Sequence, residues 1–137
     1  MRRIAHLCVI AALAVATALA PSAAYAPTAS AASGPLAGTW ISVDTDGSNQ
    51  TLDIKGSDVH VYSMFYFDDA ATGVCGGDPA RVTGPGYPDG DNLTMVGALT
   101  CLPGGNVLRS RLIIGFVYDG SADTLTDDFG VVWHRAN

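Results

Sequence analysis

The residues of this chain that could perform acid–base chemistry are mainly aspartates. Two adjacent pairs, Asp68-Asp69 and Asp127-Asp128, could supply a general acid and a general base, as in glycoside hydrolysis. That reaction needs two carboxyl groups roughly 5–10 Å apart across one bond. Adjacent residues of a strand point to opposite faces, so neither pair meets this requirement alone. Solvated turns and loops are the expected setting of both pairs.

No nucleophile accompanies these carboxyl groups. His60 and His134 could act as general bases or metal ligands. No serine stands in a G-x-S-x-G sequence, however, and a strand histidine without such a partner is an ordinary residue. The sequence therefore predicts that the protein is not an enzyme, and an uncharacterised hydrolase remains a second alternative.

The segment Asp44-Thr45-Asp46-Gly47-Ser48 resembles the start of a calcium-binding loop. Such a loop requires an acidic residue at its twelfth position, where this chain has Lys55. A hairpin turn is therefore the better interpretation. We expect no metal and no cofactor.

The beginning of the chain has the layout of a secretory signal peptide. A short basic start, Met1-Arg2-Arg3, precedes an apolar run and then small residues up to Ala31. We predict a signal peptide over residues 1–31, a flexible linker over 32–35 and a single domain over 36–137. The composition is of a bacterial export type, and we expect a secreted, extracellular protein.

The charge of the expected mature chain restricts its partners. Removal of Arg2 and Arg3 leaves 5 basic against 13 acidic residues, a net charge of −8. Nucleic acid and membranes are therefore not expected as partners, and we expect a monomer. The acids are all aspartate and Lys55 is the single lysine. Because aspartate and glycine favour turns, little helix is expected.

Two cysteines, Cys75 and Cys101, remain after the leader, which contains Cys8. In an oxidising compartment two cysteines in one domain are expected to form a disulfide. The bridge would enclose 25 residues, and the chain-entropy model gives such a loop roughly 3–4 kcal/mol of stabilisation.

The pattern of apolar residues predicts an all-β domain. Leu52 and Ile54 alternate with Asp53 and Lys55, the period of a half-buried strand. Eight strands separated by turns are predicted over residues 38–43, 50–55, 59–67, 80–83, 92–101, 106–118, 123–126 and 130–135. We expect an antiparallel up-and-down meander closed into a small barrel, because closure pairs the first strand with the last and removes both edges. A β-sandwich is the alternative.

The first predicted strand also carries a resemblance to a known group of barrels. Gly38-Thr39-Trp40 resembles the G-x-W opening of the calycins, which include the lipocalins and avidins. In lipocalins this tryptophan caps one end of the barrel beneath a basic residue near the last strand, and Arg135 would take that part here. Avidins have further tryptophans around biotin and this chain has only two, so biotin binding is not implied. The chain is also similar in plan to small bacterial metalloprotease inhibitors, although its cysteines lie elsewhere.

These features predict a secreted, non-catalytic, calycin-like binding module for a small apolar ligand. The alternative is a protein-binding module, such as an inhibitor of an extracellular protease that acts through loops 84–91 or 102–105. Candidate ligand or partner residues are Trp40, Trp133, Arg135 and Tyr87, the last in the predicted Gly- and Pro-rich loop 84–91. For the two tryptophans, packing where the first and last strands meet is the favoured interpretation.

Overall fold

We obtained a computed structural model of the chain, which describes residues 34–57 and 60–136. The predicted signal peptide lies outside the described residues. The predicted linker is described only at Gly34 and Pro35. Gly34 N donates a hydrogen bond to Gly56 O at 3.2 Å, and Pro35 O accepts one from the Arg135 guanidinium at 2.7 Å. These two residues are therefore attached to the domain.

The described residues form eight antiparallel strands and contain no helix. Their bounds are β1 Gly38–Val43, β2 Asn49–Lys55, β3 Tyr62–Asp68, β4 Ala80–Asp89, β5 Asn92–Cys101, β6 Val107–Asp119, β7 Thr124–Asp127 and β8 Val132–Arg135. Each strand pairs with the next, and β8 pairs with β1, so the sheet closes into a barrel. The predicted closed meander is confirmed, and the sandwich alternative is wrong.

The interior is built by the two-residue period of the strands. In β2, Gln50, Leu52 and Ile54 are buried, whereas Thr51 and Lys55 face outward. Neighbouring strands contribute in the same way to one continuous apolar core, whose largest fully buried side chains are Trp40, Trp133, Tyr62, Phe116, Leu52, Ile54, Leu93, Met95, Leu125 and Val82.

The main error of the sequence prediction concerns residues 84–91. The predicted loop is wrong, because β4 continues through Gly84, Pro85 and Gly86 to Asp89. Gly84 and Gly86 face the interior, where the backbone of β5 and the side chain of Met64 occupy the space that a Cβ would need. Glycine is needed here for close packing and not for a turn.

Smaller differences concern strand ends. β3 begins at Tyr62, three residues later than the predicted start at 59, and of these three residues number 59 lies outside the described part of the chain. β8 begins at Val132, because the preceding Gly130 adopts a positive φ of 82° in the turn from β7. The bounds of β1 and β5 agree with the prediction.

Candidate functional site

The two ends of the barrel differ, and one of them is sealed by side chains. At this closed end Trp40 is fully buried, and its indole Nε1 donates to Leu36 O at 3.0 Å. The Arg135 guanidinium lies 4.1 Å above the Trp40 ring centroid, and Tyr118 meets the ring edge-on at 6.1 Å. The expected position of Arg135 over Trp40 is confirmed. Such a cation–π contact contributes about 0.5–2 kcal/mol.

Arg135 also joins three parts of the chain at the closed end. Its guanidinium donates to Ala37 O at 2.8 Å and to Pro35 O at 2.7 Å. It forms two further bonds with the carboxylate of Asp123, at 2.8 and 2.9 Å. This hydrogen bonding lowers the pKa of Asp123 and raises the pKa of Arg135. Since all its nitrogens are occupied within the protein, Arg135 has a structural role at this end.

The other two aromatic candidates lie apart from each other. Trp133 is fully buried, and its Nε1 donates to Asp127 Oδ2 at 3.1 Å. It meets Tyr66 edge-on at 5.7 Å between ring centroids. Tyr87, by contrast, is 48% exposed on β4 and does not belong to a loop. The structure therefore does not bring the four predicted binding residues together in one site.

A cavity opens at the opposite end of the barrel, which we call the mouth. It has a volume of about 320 Å³. Its walls are apolar side chains of three strands, β4, β5 and β6, and of the residue before β8, namely Ala80, Val82, Leu99, Leu112, Ile114 and Val131. Its rim is formed by the β1–β2 loop (44–48), the β3–β4 loop (69–79) and the turn that carries Phe129. A cavity of this size is at the lower end of the range for small-ligand sites.

Two polar side chains, the buried Gln50 and the partly buried Tyr66, line the cavity side by side. Gln50 Nε2 donates to the Tyr66 hydroxyl at 2.9 Å. Among residues 34–57 and 60–136, Gln50 Oε1 has no hydrogen-bond partner, although Gln50 is only 4% exposed. A buried acceptor without a donor costs about 1–3 kcal/mol. The cavity thus contains an acceptor that lacks a donor.

Four carboxylates also line the cavity: Asp44, Asp46, Asp68 and Asp127. Burial raises the pKa of Tyr66 above its ordinary value, and the negative charges of Asp68, Asp44, Asp127 and Asp46 raise it further. Tyr66 is therefore a neutral phenol at physiological pH. No lysine, arginine or histidine is among the described residues that line the cavity.

Asp68 is the most buried of these four acids. The residue is 4% exposed, and its Oδ1 accepts a hydrogen bond from Ala70 N at 3.0 Å. Asp127, in contrast, accepts bonds on both oxygens, from Phe129 N, Val131 N and the Trp133 indole. Asp127 therefore mainly orders the β7–β8 turn.

The rim is held together by one polar contact and one covalent bond. Asp46 accepts hydrogen bonds from Thr72 Oγ1 and Ser48 N, which lower its pKa to about 2. The bond from Thr72 links the β3–β4 loop to the β1–β2 loop. The predicted disulfide between Cys75 and Cys101 is confirmed, and it attaches the β3–β4 loop to the end of β5. These links hold the entrance to the cavity in place.

The paired aspartates separate to opposite faces as predicted, but the predicted solvated setting is wrong for Asp68, which ends β3 and is buried. Asp68 faces the interior, whereas Asp69 accepts two hydrogen bonds from Asn49 on the outside. Asp127 lines the cavity, whereas Asp128 accepts from Gly115 N at 2.6 Å outside the barrel.

Gln50 was not predicted as a site residue. The alternation of β2 predicts that the Gln50 side chain points inward, since Gln50 shares a face with Leu52 and Ile54. A polar residue on an apolar face is the signal that indicates either an internal hydrogen bond or a ligand contact.

The segment that resembles a calcium loop forms the β1–β2 turn. Asp44 N donates to Ser48 O at 2.8 Å, and Gly47 N donates to Asp44 O at 2.9 Å. Over residues 34–57 and 60–136, no three histidine, cysteine or acidic side chains are grouped so that they could hold a metal ion. His134 is exposed on β8, on the outside of the barrel.

The fold and the site define a class of protein: a small, disulfide-bonded, eight-stranded antiparallel barrel with one sealed end and one open, acidic mouth. Comparison with protein-family models, curated proteins and solved structures finds no match. Within the described residues there is also no helix of the length and hydropathy needed to cross a bilayer.

Proposed function

We propose that the protein is a non-catalytic binding module of calycin-like type that takes a small, mainly apolar ligand into the mouth of the barrel. The observation that carries this proposal is the cavity of about 320 Å³ with its apolar wall. Eight-stranded barrels either fill their interior with side chains or hold one small ligand. This barrel fills the closed end and leaves the mouth open.

The calycin-like assignment is supported by the arrangement around Trp40. The tryptophan of the Gly38-Thr39-Trp40 segment lies on the first strand and seals one end, with Arg135 of the last strand stacked on it. This is the arrangement that the resemblance implies. The disulfide supports action in an oxidising compartment, and we infer an extracellular location.

The alternative of protease inhibition has less support. One of the two loops proposed to enter a protease is part of β4, where backbone hydrogen bonds to two neighbouring strands hold it in the sheet. No described feature singles out the remaining loop, 102–105, as a protease contact.

The binding proposal can be tested with a neutral apolar probe, 1-naphthylmethanol, by isothermal titration calorimetry. Leu112 points into the cavity, so Leu112→Trp should fill it and weaken binding at least about tenfold. Ile113→Trp is the matched control, because Ile113 is 52% exposed on the outer face of the same strand. It should bind as the wild type does.

Circular dichroism and a melting curve establish that each variant is folded, and Leu112→Phe replaces Leu112→Trp if the larger side chain prevents folding. Absence of binding by the wild-type protein up to the solubility of the probe would refute the proposal. Equal binding by the folded cavity-filling variant would refute it as well.

A further inference from the structure

We propose that the cavity selects ligands in which an apolar body carries a protonated primary or secondary amine. This inference rests on the binding function proposed above and specifies its ligand. Two independent observations lead to it: an acceptor without a donor inside the cavity, and negative charge around the cavity without a basic side chain that lines it.

The acceptor is Gln50 Oε1. The side chain points into the cavity and is more than nine-tenths buried, and no described residue donates a hydrogen bond to this oxygen. Its amide nitrogen is already committed to the Tyr66 hydroxyl at 2.9 Å. The group that would satisfy this position is therefore a hydrogen-bond donor, and an N–H of an ammonium group is a strong one.

The charge comes from the four aspartates of the cavity lining. In a site that is partly screened from water, an uncompensated carboxylate attracts a cation much more strongly than it does in bulk water. The ion pair between Arg135 and Asp123 lies at the closed end and does not neutralise the mouth. Asp68 stands deepest and lies on β3, which also carries Tyr66.

The apolar wall distinguishes an organic cation from a metal ion. A metal ion requires several oxygen or nitrogen ligands converging on one point. The described acids do not form such a group, and the strand residues around them are alanine, valine, leucine and isoleucine. In an amine with a hydrocarbon body, the hydrocarbon can pack against the apolar wall while the ammonium group contacts the carboxylates and Gln50.

The test compares three probes with the same naphthalene body at low ionic strength and pH 7: 1-naphthylmethylamine, 1-naphthylmethanol and 1-naphthoate. Titration calorimetry should show the amine binding about tenfold to a hundredfold tighter than the alcohol, with the carboxylate weakest. Added salt should reduce this difference.

Substitutions then assign the preference to this site. Asp68→Asn removes one charge but keeps the oxygen that accepts from Ala70 N, and it should reduce the advantage of the amine several-fold. Asp89→Asn removes the same charge at the far end of β4 and should leave the advantage unchanged. If Asp68→Asn does not fold, Gln50→Met is used instead as the variant with an altered cavity.

The role of Gln50 is tested with the N,N,N-trimethyl derivative of the amine, which keeps the charge and has no N–H. The wild-type protein should prefer the amine over this derivative, and Gln50→Met should lose that preference.

Equal affinity of the wild type for amine and alcohol, with both blocked by Leu112→Trp, would overturn the amine inference and leave the binding function intact. Failure of all three naphthalene probes to bind would instead refute the proposed function.

Discussion

At the scale of single residues, Trp40 shows how one side chain can determine the character of a whole end of the barrel. Its ring is enclosed between Arg135 and the interior, and its indole N–H is bonded to Leu36 O. No edge of it reaches the cavity lining. The G-x-W segment therefore contributes to the sealed end, and the ligand contacts that we propose involve other residues.

Trp40→Ala should accordingly reduce the free energy of unfolding by roughly 3–5 kcal/mol, the cost of removing a buried large aromatic side chain. Urea denaturation measures this change. Ile41→Ala is the control, since Ile41 is the next residue and is 48% exposed on the outer face. It should change stability by about 0.5 kcal/mol or less. An unchanged melting point for Trp40→Ala would mean that the ring is exposed in solution and available to a ligand.

At the scale of elements, β4 is the strand that sequence patterns describe least well. The alternation of β2 and the apolar length of β5 and β6 identify these strands, because half-buried sheets impose a period of two. In β4 the same face carries Gly84 and Gly86, so no apolar period is visible. Only glycine fits at these two positions, because β5 and Met64 occupy the space that a side chain would need. A contact between residues that are distant in sequence produces no local sequence pattern.

The cavity could not be predicted from the sequence, because its entrance also depends on contacts between residues that are distant in the chain. Its walls follow from the alternation of the strands, and the faces of the paired aspartates follow from the same rule. Its rim depends on how the loops at 44–48 and 69–79 pack against each other, through Asp46, Thr72 and the disulfide. Loops lack a period, so their mutual position cannot be read from composition.

The close approach of β4 and β5 gives a prediction at this scale. A Cβ added at Gly84 would lie 2.1 Å from Val96 O, a backbone atom that cannot move aside without separating the two strands. Gly84→Ala should therefore lower the free energy of unfolding by at least about 2 kcal/mol. In Gly104→Ala the nearest atom is Asn106 Nδ2 at 3.8 Å, and stability should change by about 0.5 kcal/mol or less. Similar denaturation midpoints for the two variants would contradict the observed strand spacing.

At the scale of the whole molecule, closure of the barrel depends on the short pairing of β1 with β8, which we call the seam. β1 and β8 pair at only two positions, Trp40 with Arg135 and Ile41 with His134. Ala136 N adds a hydrogen bond to Thr39 O at 2.8 Å. By comparison, β4 and β5 pair at eight positions. The seam is therefore the strand pair with the fewest paired positions, and Arg135 compensates by joining β8 to the N-terminal segment and to Asp123.

Arg135→Lys should open this seam while preserving the charge. A lysine ammonium cannot reproduce the planar fork that reaches Ala37 O, Pro35 O and Asp123 together. We expect a loss of about 1–3 kcal/mol in the free energy of unfolding, since two of these bonds are charge-assisted bonds to backbone carbonyls and the half-exposed pair with Asp123 adds little.

Amide hydrogen exchange locates the effect of Arg135→Lys. Protection should fall first in β1 and β8, whereas β4 and β5, which pair at eight positions, should exchange as in the wild type. Arg109→Lys on the exposed face of β6 makes the same substitution away from the seam and should leave exchange unchanged. A uniform loss of protection over all eight strands in Arg135→Lys would show that the barrel opens as one unit and that Arg135 does not specifically secure its closure.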